Sequence, residues 1–106
     1  MKTIFLLRHA KSSWDDPVER DFDRPLNTRG RRAAETIGRY LRDESLAFDR
    51  VVASPAVRVI ETLDGVEAGA GRRLDATFDK RVYMASAPTL LDIVHETDAE
   101  AETLLL

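Results

Sequence analysis

Arg8 and His9 stand directly behind a short apolar run, Ile4-Phe5-Leu6-Leu7, and Ser54-Pro55 stands directly behind a second, Val51-Val52-Ala53. A short apolar run of this kind is the pattern of a strand buried on both faces. In a parallel α/β sheet, ligands bind beyond the carboxyl ends of the strands, which is where both features fall. Ser54 and Pro55 read as the N-cap and first position of a helix. The free N–H groups and positive dipole end of such a helix favour an anion. Arg58 lies one turn into it, within reach of that anion. Two guanidiniums, one imidazole and a helix N-terminus at one edge describe a phosphate site with a nucleophile inside. Imidazole can attack phosphorus and form a phosphohistidine that water then hydrolyses, while arginines neutralise the equatorial oxygens. His9 must be unprotonated at the attacking nitrogen, and a hydrogen bond from its other ring N–H to a carbonyl would set that tautomer.

Positioning these groups takes strands and helices in alternation. After the first strand, residues 8–24 are polar and aperiodic, with Asp15-Asp16-Pro17 as a turn. Asn27 or Thr28 caps a helix to about Asp43, with Ala33, Ala34, Ile37, Tyr40 and Leu41 as its apolar stripe and Tyr40 in the core. The helix after Ser54-Pro55 continues through Ala56, Val59, Ile60 and Leu63, and Gly65, Gly69 and Gly71 close the segment. Leu74 to Phe78 alternates as a third strand, Pro88 opens a helix through Leu90, Leu91 and Val94 to about Glu96, and Thr103 to Leu106 begins a fourth, buried strand. The order predicts a three-layer α/β/α sandwich around a mainly parallel sheet, in a single domain over residues 1–106. The chain stops on three leucines inside a strand, which reads as a fragment incomplete at its C-terminus. A last strand left at the sheet's edge would be prone to pairing through that edge.

The bulk properties bound the partners. A net charge of −3 gives no global attraction to nucleic acid or membrane. Apolar runs are too short for a membrane span or a secretory leader, so a cytoplasmic location is the default. The chain has no cysteine, which excludes disulfides and thiolate chemistry. Basic residues are mostly arginine, the type that suits carboxylate and phosphate recognition.

Other polar residues have plainer readings. Lys11 and Ser12, in the loop above the site, are candidates for substrate binding, and Trp14 is a loop anchor. Asp79, at the end of the third strand, is the candidate general acid. His95 is a solvent-facing residue in a last helical turn, where a cation suits the dipole. Asp15, Asp16, Glu19, Asp21 and Asp23 lack the Gly turn and closing Glu of a calcium loop, so they read as a solvated acidic loop. No metal and no other cofactor is expected.

Leu7-Arg8-His9-Ala10 with Lys11-Ser12-Ser13-Trp14, then Arg24-Pro25-Leu26-Asn27-Thr28-Arg29-Gly30, then Ser54-Pro55-Ala56-Val57-Arg58-Val59-Ile60-Glu61-Thr62, resembles the histidine phosphatase (phosphoglycerate mutase-like) superfamily. Within it, the short form and the Arg-His-Ala-Lys opening are most similar to SixA-type phosphohistidine phosphatases. The resemblance implies that His9 is the nucleophile and that Arg8 and Arg58 hold the phosphoryl group. It also implies a second histidine, in a Gly-His pair ending the strand after the third helix. Here that strand is Thr103 to Leu106, and the chain stops before the pair. His95 does not take that place, because it lies inside the preceding helix. Many members use a Glu after the third strand as acid; Asp79 is the nearest counterpart, and Lys80-Arg81-Val82-Tyr83 matches no standard acid motif.

The expected function is therefore a metal-independent phosphatase acting on phosphohistidine in a protein or on a small phosphorylated molecule. A phosphoramidate leaves as imidazole and needs less help from an acid than an alkoxide does, which favours phosphohistidine. The alternatives are a phosphate-binding regulatory module without turnover and, more remotely, a phosphomutase, for which the enclosing insertions are missing. Oligomeric state is not legible.

Overall fold

A computed structural model of the chain describes residues 3–9, 24–97 and 103–105. Their order is β1 (Thr3–Phe5), α1 (Thr28–Asp43), β2 (Arg50–Ala53), α2 (Val57–Ala70), β3 (Thr77–Phe78), a 3-10 turn (Lys80–Val82), α3 (Ala87–Glu96) and β4 (Thr103–Leu105). The α/β class and the parallel sheet expected from the strand–helix alternation are both present. Two compact units divide the chain: Met1–Leu7, Phe48–Pro55 and Asp75–Leu106 form one, Arg8–Ala47 and Ala56–Leu74 the other. Among the described residues no helix is long and apolar enough to cross a membrane.

The first unit holds the sheet, in the order β1-β4-β2-β3 with every pair parallel. The last strand in sequence is therefore interior. Leu104 is paired with Ile4 on one side and Arg50 on the other, and Leu105 with Phe5 and Val51. The fourth strand is buried as expected and, being paired on both sides, offers no free edge. The consequence is visible in burial, since Leu104 is 0% and Leu105 4% exposed. At the start of β4 a clasp sets the register: Asp49 N–H donates to the carbonyl oxygen and Oγ1 of Thr103 (3.0 and 2.9 Å), and Thr103 N–H donates to Asp49 Oδ2 (3.0 Å).

The first strand is shorter than its apolar run and is not buried on both faces. It ends at Phe5, has a strand neighbour on one side only among the described residues, and leaves Ile4 and Leu6 exposed. Phe5 packs edge-to-face on Phe48, with ring centroids 5.1 Å apart. The third strand contracts from Leu74–Phe78 to Thr77–Phe78, following Asp75 at a left-handed φ of 52°. α3 opens at Ala87, one residue ahead of the expected Pro88, with Ser86 as its N-cap. Its buried residue is Ile93, however, and Leu91 is exposed.

The second unit is the pair α1 and α2. Asn27 caps α1, its Oδ1 accepting from Gly30 N–H at 2.7 Å, as the sequence predicts. The buried stripe is Gly30, Ala34, Gly38 and Leu41, so Ala34 and Leu41 of the expected stripe are buried and Ala33, Ile37 and Tyr40 are not. Ile37 and Tyr40 are exposed, Tyr40 by 56%, so Tyr40 is not core. The reason lies in the partner helix. A Cβ on Gly38 would overlap the carbonyl oxygen of Val66, and one on Gly69 that of Glu35. The two backbones touch, and only small residues fit between them. Gly65 and Gly69 thus lie inside α2 and not at its end, while Gly71, in the left-handed region at φ 71°, is its C-cap.

Candidate active site

The registers of the sheet show what its carboxyl edge presents. Phe5 and Val51 both lie opposite Leu105, so β1 and β2 end at the same edge with β4 between them. β3 ends there too, and the N–H of Asp79 donates to Ala53 O at 2.8 Å. The segments leaving that edge are those singled out from the sequence: Arg8-His9 after β1, Ser54-Pro55 after β2 and Asp79 after β3.

Arg8, His9 and Arg58 belong to the second unit. Arg8 is exposed and His9 half-buried. Arg58 is only 7% exposed, and it is the second residue of α2 instead of lying a turn inside. The helix begins later than Ser54-Pro55 suggests. Its N-cap is Ala56, without a side-chain cap, and Ile60 N–H closes the first turn on Ala56 O at 3.1 Å. Ser54 is a buried residue ahead of the helix. A cation in the first turn opposes the helix dipole, a cost that an anion held at the same end offsets.

Contacts along the pair rise in step, from Arg31 with Glu61 to Ala34 with Gly65 to Glu35 with Gly69, so α1 and α2 run parallel. Their N-termini lie at one end of the unit, with two positive dipole ends adjacent. Glu61 ties that end together. Its Oε1 accepts from Leu26 N–H at 2.8 Å and its Oε2 from Arg31 Nη2 at 3.1 Å. Thr62, also buried, returns its hydroxyl to Arg58 O at 2.7 Å. Arg24 is a second buried guanidinium in this unit, 6% exposed. Sequence reasoning assigned no role to Glu61, Thr62 or Arg24. The available signal was their place inside the two motifs that carry Leu26 and Arg58.

Asp79 is engaged locally. It caps the 3-10 turn by accepting from Arg81 N–H at 2.9 Å, and Arg81 Nη2 donates to its Oδ2 at 2.7 Å. The same guanidinium donates to both oxygens of Glu96, at 2.6 and 3.0 Å. Hydrogen bonds from Arg81 hold the carboxyls of Asp79 and Glu96 below the usual carboxylate range. An acid catalyst needs its proton near neutral pH, and this environment acts in the opposite direction. Lys11, Ser12 and Trp14, and the acidic loop of Asp15, Asp16, Glu19, Asp21 and Asp23, lie outside the described residues. His95 is exposed in the last turn of α3. Among the described residues no group of three or more His, Asp or Glu is placed to hold a metal ion.

Comparison with known proteins places these motifs in context. The family model of the histidine phosphatase superfamily (branch 1) matches residues 4–83. An uncharacterized protein of Mycobacterium tuberculosis is 36% identical over 100 residues, which are 94% of this chain and 60% of that protein. A solved structure described as a candidate phosphohistidine phosphatase SixA from Agrobacterium tumefaciens matches with a TM-score of 0.86 at 32% identity, over 97% of this chain and 66% of that one. Another so described, from Nakamurella multipartitia, matches with a TM-score of 0.83 at 34% identity, over 98% of this chain and 56% of that one. The chain thus spans less than two thirds of the length of these relatives.

Proposed function

The chain belongs to the histidine phosphatase superfamily, and from that membership we propose that it carries the nucleophilic half of a phosphatase acting on phosphohistidine or a small phosphorylated molecule. The observation that carries the proposal is the pairing of two placements. Arg8-His9 leaves a parallel strand at the sheet's carboxyl edge, and a buried Arg58 occupies the first turn of α2. In the proposed reaction an imidazole nitrogen of His9 attacks phosphorus. The bond from phosphorus to the leaving imidazole or oxygen breaks, and the leaving group takes up a proton. Water then attacks the phosphoryl group on His9, releasing inorganic phosphate and restoring the imidazole. Arg8 and Arg58 stabilise the equatorial oxygens, and Lys11 and Ser12 contact the substrate.

Phosphohistidine is the favoured substrate on chemical grounds. Hydrogen bonds from Arg81 hold the carboxyl predicted to serve as acid below the usual carboxylate range, and a phosphoramidate, with its imidazole leaving group, depends least on a dedicated acid. The solved relatives described as candidate phosphohistidine phosphatases support the same substrate class. The resemblance also implies a second histidine, in a Gly-His pair ending the strand after the third helix. A phosphate-binding module without turnover is the second reading, favoured by the engagement of Asp79.

Phosphoramidate consumption followed by phosphorus NMR separates them. Release of inorganic phosphate by the wild-type chain and by His95→Ala, but not by His9→Ala, is the expected result. Binding without release by the wild-type chain would establish the module instead.

A further inference from the structure

Beyond its contact with α2, α1 carries two exposed rows of side chains that lie about a quarter turn apart around the helix axis. Ala33, Ile37 and Tyr40, at i, i+4 and i+7, are all exposed, Ile37 by 39% and Tyr40 by 56%. Beside them run Arg29, Arg32 and Arg39, also exposed, with Thr36 in the same row. Arg29 and Arg32 make no ion pair among the described residues, and Arg39 Nη2 donates to Thr36 Oγ1 at 3.1 Å. The helix holds five arginines against Glu35 and Asp43, in a chain of net charge −3. Arg29, Arg31 and Arg32 fall in its first turns, against the dipole, with no acidic residue in the first turn. Among the described residues, only Arg31 of these three is offset by an ion pair, with Glu61.

We propose that this face docks an acidic amphipathic helix of a phosphorylated protein substrate, its carboxylates on Arg29, Arg32 and Arg39 and its apolar residues on Ile37 and Tyr40. From Arg29 to Arg39 the stripe is about 15 Å long, nearly three turns of a partner helix, and apolar positions at i, i+4 and i+7 match helical recognition. Charge complementarity selects an acidic partner. The apolar stripe and the negative charge of the whole chain select a protein over a nucleic acid. That the docked protein is a substrate rests on the phosphatase reading; the docking itself does not.

The test uses a fluorescent helical peptide of about 18 residues with leucines at every third and fourth position and glutamates between them. Its lysine counterpart and a single-stranded oligodeoxynucleotide serve as competitors of other classes. The acidic peptide should bind the wild-type chain, and the double variant Arg32→Glu/Arg39→Glu should weaken it about tenfold or more. The neutral pair Arg32→Gln/Arg39→Gln should give a smaller loss, and Tyr40→Ser a loss without a change in salt dependence. Equal binding of the lysine peptide, tighter binding of the oligodeoxynucleotide, or unchanged affinity in the charge-reversed chain would overturn the proposal. So would a wild-type dimer in sedimentation that the same reversal dissolves, which would make a second copy the occupant. Phosphoramidate hydrolysis, measured on the same samples, should be equal in all variants. If no sample hydrolyses it while the peptide series holds, the phosphatase reading fails and the docking face stands.

Discussion

Arg58 places a positive charge in the first turn of α2, nearly out of water, at the end where two parallel helices point their positive dipoles. Each unfavourable charge–dipole contact costs about 0.3–1 kcal/mol, and an oxyanion held there reverses the sign. Replacing Arg58 by Ala should lower kcat/KM for phosphoramidate on the order of 10²–10³-fold. Lys should recover only part, because an ammonium lacks the planar fork of donors; full recovery by Lys would mean that charge alone matters. Asp79 and Glu96 make a different prediction. Arg81 lowers the pKa of both in the folded chain, so folding is favoured by this clamp above the usual carboxylate range. The contribution disappears as pH falls through the lowered folded values. The groups are solvent-accessible, so it is small. Thermal midpoints followed from about pH 6 to 3 should fall less in Arg81→Ala than in the wild type, and parallel curves would show that the clamp contributes nothing. At this scale the sequence was readable for placement, since Arg8-His9 and Asp79 stand after β1 and β3 as expected. It was silent on Arg81, because an ion pair with Glu96, fifteen residues on, leaves no local pattern.

Among the elements, α1 and α2 show how a pattern can be read correctly and still mislead. The Asn27 cap and the end near Asp43 follow from local chemistry, and both are observed. The buried face does not follow, because apolar size suggests Ile37 and Tyr40 while backbone contact requires Gly38 and Ala34. Glycine reads as a breaker in isolation, which is why Gly65 and Gly69 appeared to end a helix that runs through them. Ser54-Pro55 likewise has every local mark of a helix start, yet α2 opens at Val57. The contact between the two backbones has a testable sign. Alanine at a solvent-facing helical glycine gains about 1 kcal/mol. Gly38→Ala and Gly69→Ala should instead lose about 1–3 kcal/mol by overpacking. Thermal unfolding should register each as a lower midpoint, by about 4–8 °C per kcal/mol for a domain near this size. A raised midpoint in either variant would refute the contact between the two backbones.

In the whole molecule, the sheet is assembled from three separated stretches of chain and completed by the last of them. The strands were largely legible as strands, and their parallel sense followed from the helices between them. Their order was not, since nothing local to Thr103–Leu105 says that β1 and β2 stand on either side of it. That order makes Leu104 the most demanding position in the sheet. Leu104→Ala should cost about 2–5 kcal/mol out of a total stability of about 5–15 kcal/mol. Urea denaturation should show it as a large drop in midpoint, whereas Leu6→Ala, at a residue 74% exposed, should change little. Similar effects from the two would argue against the interior place of β4.

The central claim is that His9 accepts a phosphoryl group. It is tested most directly by intact-mass measurement after brief incubation with phosphoramidate, followed by peptide mapping. The chain has two histidines, which makes the site unambiguous. The account predicts one acid-labile phosphoryl group on the peptide holding His9, present in His95→Ala and absent in His9→Ala. A phosphoryl group that persists in His9→Ala, or one that maps to His95, would contradict it.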